Sequence, residues 1–212
     1  MKTSYNRIAG QSVERLAALS DGIFAGAMTL LLLELHVPAK ELIRSEGDLR
    51  HALAALAPQP LVYLMSFLTL GIFWVGQQTQ LSHLERSARH LTWIHLAFPL
   101  LVAIMPFSAR LLIEFMELRT ALVAYWANIF LLGAMLYVSW GRATHARLVR
   151  SDVPPEVPTA ICRRIWIAQT FYAFGALLCV FKTYWSIGFI VLMQLYYAIA
   201  PRYERSQRAE GA

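Results

Sequence analysis

A carboxylate stands inside one of the most apolar stretches of this chain. Residues 18–38 read ALSDGIFAGAMTLLLLELHVP, with Asp21 beside Ser20 near the start and Glu34 and His36 near the end. A charged side chain within the hydrocarbon of a bilayer costs at least a few kcal/mol, so Asp21 must face protein or water and needs a donor. Arg15 is six residues away, a poor spacing for a pair on one helix, so a donor on a neighbouring helix is expected. Gly22 and Gly26 form a GxxxG, which lets two helix backbones approach closely and fits a pure packing role as well as a functional one. Six histidines raise the question of metal chemistry. They are not clustered in HxxxH or HxxHH runs, and His90 and His95 do not share a helix face, so no metal or other cofactor is expected. His95, inside an apolar run, reads as a buried histidine bonded to a neighbouring helix or as a functional titratable group. Arg110 has Glu114 and Glu117 at spacings of four and seven, which predicts a local Arg–Glu pair. Glu34 and His36 read equally as a cation-attracting vestibule or as a solvated helix end. No Walker loop, Ser-His-Asp set or dinucleotide fingerprint is present.

These groups need helices to hold them, and composition says where. Of 212 residues, 58% are apolar and 15% charged, against about 45–50% and about 25% in soluble domains. The fold class expected is an all-α, polytopic membrane protein. Stretches of about 20 apolar residues fall at 13–37, 60–80, 91–114, 121–141, 162–181 and 184–200. Together they make one six-helix transmembrane domain over residues 1–212. A short amphipathic helix is expected between Pro38 and Pro58. Pro154, Pro155 and Pro158 predict a loop between the fourth and fifth spans, and Lys182-Thr183 leaves room only for a tight hairpin between the fifth and sixth. The first twelve residues are polar, and no cleavable leader is expected. Trp74, Trp93, Trp126, Trp140, Trp166, Trp185 and Tyr196-Tyr197 read mostly as interface anchors, with Trp74 packing behind the first helix. Cys162 and Cys179 lie on predicted helices and are expected to be buried and reduced.

The net charge of +6 is spread between apolar runs, which points to a membrane surface and away from nucleic acid. Six spans put both termini on one side. Placing that side in the cytoplasm gives it thirteen Lys and Arg, among them Lys2, Arg7, Arg15, Arg163, Arg164, Arg202, Arg205 and Arg208, against six on the other. The expected setting is a bacterial inner membrane with cytoplasmic termini. On a helical wheel Leu19, Gly22, Gly26, Thr29, Leu30, Leu33 and Val37 share one face of the first span.

The run Arg15-x-x-x-Leu19-Ser20-Asp21-Gly22-Ile23-Phe24-Ala25-x-Ala27-x-Thr29-Leu30-Leu31-x-Leu33-Glu34-Leu35 resembles the first-helix signature of the bacterial relatives of the endosomal and lysosomal potassium channel. FLTLGIFWVGQQTQ in the second span and WIHLAFPLLVAIMPFSARLL in the third are similar to that family's next two helices. The resemblance implies a homotetramer of six-helix subunits, with K⁺ passing a central pore lined by the first helix and no TVGYG filter. By motif position it implies a pore constriction at Gly26, Leu30 and Leu33 and a hydroxyl ring at Thr29. It also implies a polar network of Arg15, Ser20, Asp21, Gln77 and Gln78 that fixes the pore helix. Three positions depart from the pattern: Leu19 replaces Phe, Gln77-Gln78 replaces a histidine-containing pair that could carry a proton, and Gly26 replaces a bulky residue. The last predicts weak K⁺ over Na⁺ selectivity. Two alternatives stand beside the K⁺ channel: a poorly selective cation or proton leak, and a small integral-membrane enzyme or scaffold. The enzyme reading requires polar residues from several helices to converge at one depth, and the spans offer few: Asp21, Thr29, Thr69, His95, Asn128 and Gln169.

Overall fold

A computed structural model describes residues 12–210. Lys2 and Arg7 lie outside the described residues, as do the side chains of Arg89, His90 and 199–210, including Arg202, Arg205 and Arg208. The described chain is helical, and its elements are α1 (Val13–Leu33), a 3-10 turn (Lys40–Leu42), α2 (Glu46–Leu56), α3 (Pro58–Ser82), α4 (Arg89–Glu114), α5 (Arg119–His145), α6 (Glu156–Leu177), a second 3-10 turn (Leu178–Val180) and α7 (Thr183–Glu210). Six of these helices are long, as six spans require, and α2 is the short helix expected between Pro38 and Pro58.

Four stretches among the described residues are long and apolar enough to cross a membrane: α1, the joined α2–α3 run Glu46–Ser82, Leu91–Glu114 and α5. α6 and α7 are also long; Arg163 and Arg164 interrupt the apolar run of α6, and α7 carries the apolar run SIGFIVLMQLYYAIA. The chain is an integral membrane protein.

Local chemistry sets the boundaries. Ser12 caps α1 by accepting from the Arg15 backbone N–H at 3.2 Å, which satisfies one of the orphan donors of the first turn. The helix ends at Leu33, four residues before the expected limit. Pro38 pushes Val37 out of the helical region, so Val37 leaves the face it was assigned to. Between α5 and α6 the expected loop is shorter than the three prolines suggested. Pro158 is the third residue of α6, where its missing N–H is among those with no intrahelical partner anyway. Pro99 and Pro106 lie inside α4, and the helix continues through both, as buried membrane helices tolerate.

The helices pack around one apolar core. α4 and α5 form the most extensive pair, α1 lies against α3 and α4, and α3 also packs on α7. Phe24 and Leu31 of α1 meet Phe98 and Met105 of α4 and Tyr125 and Leu132 of α5 in this core. A second cluster, Leu81, Leu84, Leu91, Trp140, Ala143 and Leu148, closes the end of the bundle where α1 begins. There Leu84 and Val149 form an antiparallel bridge between two loops, with Glu85 N–H donating to Leu148 C=O and Arg150 N–H to His83 C=O, each at 3.0 Å. Trp140 is fully buried here and donates to Pro158 C=O at 3.1 Å. It is a core residue rather than the interface anchor its position near a span end suggested. Cys179 is buried, Cys162 is half-buried, and both are free thiols.

A pore-helix candidate and its polar clasp

α1 has two faces of opposite character. Leu16, Ser20, Phe24, Ala27 and Leu31 are buried against α3 and α4. Leu19, Gly22, Gly26, Thr29, Leu30 and Leu33 are exposed, and the contrast is sharp between neighbours: Leu31 is 1% exposed and Leu30 50%. A face that joins small residues to bare leucines has no packing partner among the described residues. Nothing lies within 4 Å of where a Cβ would stand on Gly22 or Gly26. The GxxxG therefore has no close helix neighbour among the described residues. The Thr29 hydroxyl donates to its own backbone at Ala25 C=O, 2.7 Å away, which leaves its oxygen lone pairs facing outward.

The edge of α1 that faces α3 carries the polar contacts, with Ser20 buried and Asp21 exposed beside it. Asp21 Oδ1 accepts from Trp74 Nε1 at 2.7 Å and from Gln78 Nε2 at 2.5 Å. Ser20 Oγ accepts from Gln77 Nε2 at 3.0 Å. Trp74, Gln77 and Gln78 share a face of α3 through their spacings of three and four. The donors of Asp21 thus come from a neighbouring helix, as the bilayer cost required. Charge-assisted bonds of this kind are short and about twice as strong as neutral ones. Gln77 Oε1 is buried without a partner among the described residues. Arg15 is not drawn in: its backbone bonds Ser12, and no ion pair or hydrogen bond is formed by its side chain among the described residues. Trp74 was expected only to pack; its indole N–H is a second donor to the carboxylate. The signal was its position three and four residues before the glutamines.

At the other end of α1, Glu34 Oε2 lies 3.6 Å from Arg110 Nη1 of α4. This replaces the expected local pairing of Arg110 with Glu114 or Glu117. The α1 terminus stands beside Arg110, and a partner across the bundle takes the guanidinium. Glu34 is then neither a free vestibule carboxylate nor a fully solvated one. His36 N–H donates to Gln59 Oε1 at 3.1 Å.

Three further polar groups meet deep in the bundle. His95 is buried with Nε2 3.3 Å from Ser139 Oγ of α5, the interhelical bond expected of it. Asn128 donates to Ser108 Oγ at 3.2 Å. The third group was not foreseen. Tyr125 OH lies 3.2 Å from Ser66 Oγ and 3.4 Å from Thr69 Oγ1, and Gln194 Nε2 donates to Thr69 Oγ1 at 2.6 Å and to Tyr172 OH at 3.1 Å. Four helices thus contribute to one buried network. Serine and tyrosine in apolar runs gave no sign of it, since each reads singly as a packing or interface residue.

The comparisons with known proteins agree with this geometry. Residues 15–106, which include α1 and α3, match the family model described as the endosomal/lysosomal potassium channel TMEM175. A potassium channel of Chamaesiphon minutus is 30% identical over 189 residues, covering 87% of this chain and 93% of that one. A potassium channel of Streptomyces collinus is 38% identical over 103 residues, which make up 49% of this chain and 48% of that one. The solved structure of a lysosomal potassium-selective channel TMEM175 homolog from Chamaesiphon minutus matches with a TM-score of 0.76 at 26% identity, covering 89% of this chain and 97% of that chain. These relatives are ion channels, so the enzyme alternative is set aside, and the chain belongs to the TMEM175 channel family.

Proposed function

We propose that this chain is a subunit of a potassium channel in which four copies of a single six-helix domain, residues 1–212, surround one pore. The exposed face of α1 carries this reading: Leu19, Gly22, Gly26, Thr29, Leu30 and Leu33 stand exposed along one side of the helix, and nothing among the described residues lies within 4 Å of a Cβ at Gly22 or Gly26. Fourfold assembly gives that face a role as pore wall. Leu30 and Leu33 then form the hydrophobic constriction, Gly26 a wider level, and Thr29 the hydroxyl ring. Hydrophobic constrictions gate by dewetting, so K⁺ passes where the leucine ring widens enough to hold water. Ser20 and Asp21 with Gln77 and Gln78 hold the pore helix on α3, and Arg15 completes the network across a subunit boundary. The bilayer is a bacterial inner membrane with cytoplasmic termini, in keeping with thirteen against six basic residues.

The test is K⁺ flux from proteoliposomes of purified protein. Leu30→Ala is expected to change the flux severalfold. An unchanged flux would move the pore away from α1, and folded protein that passes neither K⁺, Na⁺ nor H⁺ would overturn the channel reading.

A second reading, a poorly selective cation or proton leak, is favoured by one observation, the open space around Gly26. An isoleucine fits there without a clash in the subunit. Gly26→Ile is expected to raise the K⁺/Na⁺ permeability ratio, and an equal ratio in both proteins would count against a selectivity role for this level.

A further inference from the structure

Away from α1, a cleft of about 210 Å³ opens between α3, α5, α6 and α7. Phe73, Ile161, Ile165 and Tyr172 give it mostly apolar walls, and Arg164 stands among them. Arg164 also lines a shallower recess alongside, with Ala160, Arg163, Ile167 and Tyr197. It therefore sits where the cleft meets the surface of the helix bundle. That surface is apolar, with Trp166 and Ile167 both exposed.

The guanidinium is held from one side only. Nε donates to the Tyr197 hydroxyl, and Cζ lies 4.8 Å from the centre of the Tyr197 ring. The two terminal nitrogens have no hydrogen-bond or ion-pair partner among the described residues, and Arg163 next to it has no carboxylate partner either. An arginine on an apolar membrane helix is costly unless it is paired with an anion or reaches water. Orientation by Tyr197 leaves the forked end of Arg164 available for bidentate contact with a phosphate. A second polar group opens on the same cleft. Gln80 is buried, spends its Nε2 on Leu136 C=O at 3.1 Å, and leaves Oε1 without a partner. It is an acceptor in want of a hydroxyl.

We propose that this cleft binds one anionic, hydroxyl-bearing phospholipid. Its phosphate rests on Arg164 with Arg163 beside it, one acyl chain runs along the apolar wall, and a headgroup hydroxyl supplies the donor that Gln80 lacks. The bilayer is the source of the ligand, because the recess opens beside exposed apolar side chains, Trp166 and Ile167, of an integral membrane protein. Basic pockets between membrane helices are general sites for anionic headgroups. The site is separate from α1 and does not depend on where the pore lies.

The experiment is native mass spectrometry of the full chain, purified in detergent and equilibrated with equal phosphatidylglycerol and phosphatidylcholine. Wild type is expected to retain phosphatidylglycerol by about tenfold over phosphatidylcholine, the scale of one charge-assisted contact, and Arg164→Gln to bring the ratio close to one. Ala168→Trp, which fills the cleft, is expected to remove retention of both lipids. Size-exclusion profiles and helical circular dichroism establish that each variant is folded, and Arg164→Gln carries the test if Ala168→Trp is not. An undiminished preference in folded Arg164→Gln overturns the proposal. So does displacement of the lipid by glycerol phosphate at equal concentration, which marks a soluble-anion site. A wild-type protein that carries only further copies of itself, and no lipid, overturns it too.

Discussion

The two ends of α1 are anchored in different ways. At the Asp21 end, one carboxylate takes two donors from α3 and Ser20 takes a third. Below them lie a buried apolar cluster and a loop-to-loop bridge. At the Glu34 end stand one ion pair at 3.6 Å and one backbone bond. The linker through the first 3-10 turn and α2 buries none of its residues in the subunit. Short bonds to a charged acceptor resist displacement, whereas a long, partly exposed ion pair contributes little. α1 is therefore held by polar contacts at its Asp21 end, and mainly by apolar packing of Ala27 and Leu31 towards its Glu34 end.

The largest effect should come from Asp21. Asp21→Ala removes the acceptor shared by the Trp74 indole N–H and the Gln78 amide, both partly exposed, and should lower stability by about 1–2 kcal/mol. Asp21→Asn keeps an acceptor and should cost roughly half as much. Thermal unfolding in detergent reads both, and equal losses would mean that the charge contributes nothing. Arg110→Met should cost under about 1 kcal/mol in the same assay, since the guanidinium is more than half exposed. A loss as large as that of Asp21→Ala would remove the contrast between the ends.

The smallest effect concerns the loop that backs the Asp21 end. Arg150 donates to Asp152 at 2.7 and 3.1 Å, and this bond holds the Asp152 carboxyl below its usual range. A carboxyl whose pKa is lowered by folding contributes stability that is complete above its unfolded value and lost as pH falls through the folded one. Amide protection of the loop around Arg150–Val153 should therefore persist at pH 4–5 and fall only on further acidification. Asp152→Asn should abolish that dependence, and an identical acid profile in the variant would assign it to another group.

Much of this was legible in the chain. Apolar runs located the long helices because a bilayer demands about 20 apolar residues per crossing. Asp21 announced a partner because a lone carboxylate in hydrocarbon is too costly to leave unpaired. The resemblance in the first two spans then pointed to Ser20, Gln77 and Gln78, and the structure joins Gln77 to Ser20 and Gln78 to Asp21, with no bond to the Arg15 side chain among the described residues. Trp140 and Pro158 were misread for one reason. Both lie near span ends, where membrane interface and bundle interior look alike in sequence.

The sequence by itself determined the helical class, the number of long helices and which residues of α1 share a face, since each follows from composition and a 3.6-residue period. Only the tertiary structure decided which groups meet. Arg110 passes over its own helix for Glu34, Trp74 becomes a donor to Asp21, and the network joining Ser66, Thr69, Tyr125, Tyr172 and Gln194 assembles from four helices. Arg164 stands at an apolar cleft with no acidic partner among the described residues. Periodicity fixes the face a side chain occupies, but the register and rotation of one helix against another fix its neighbour, and those are set by packing across the whole bundle.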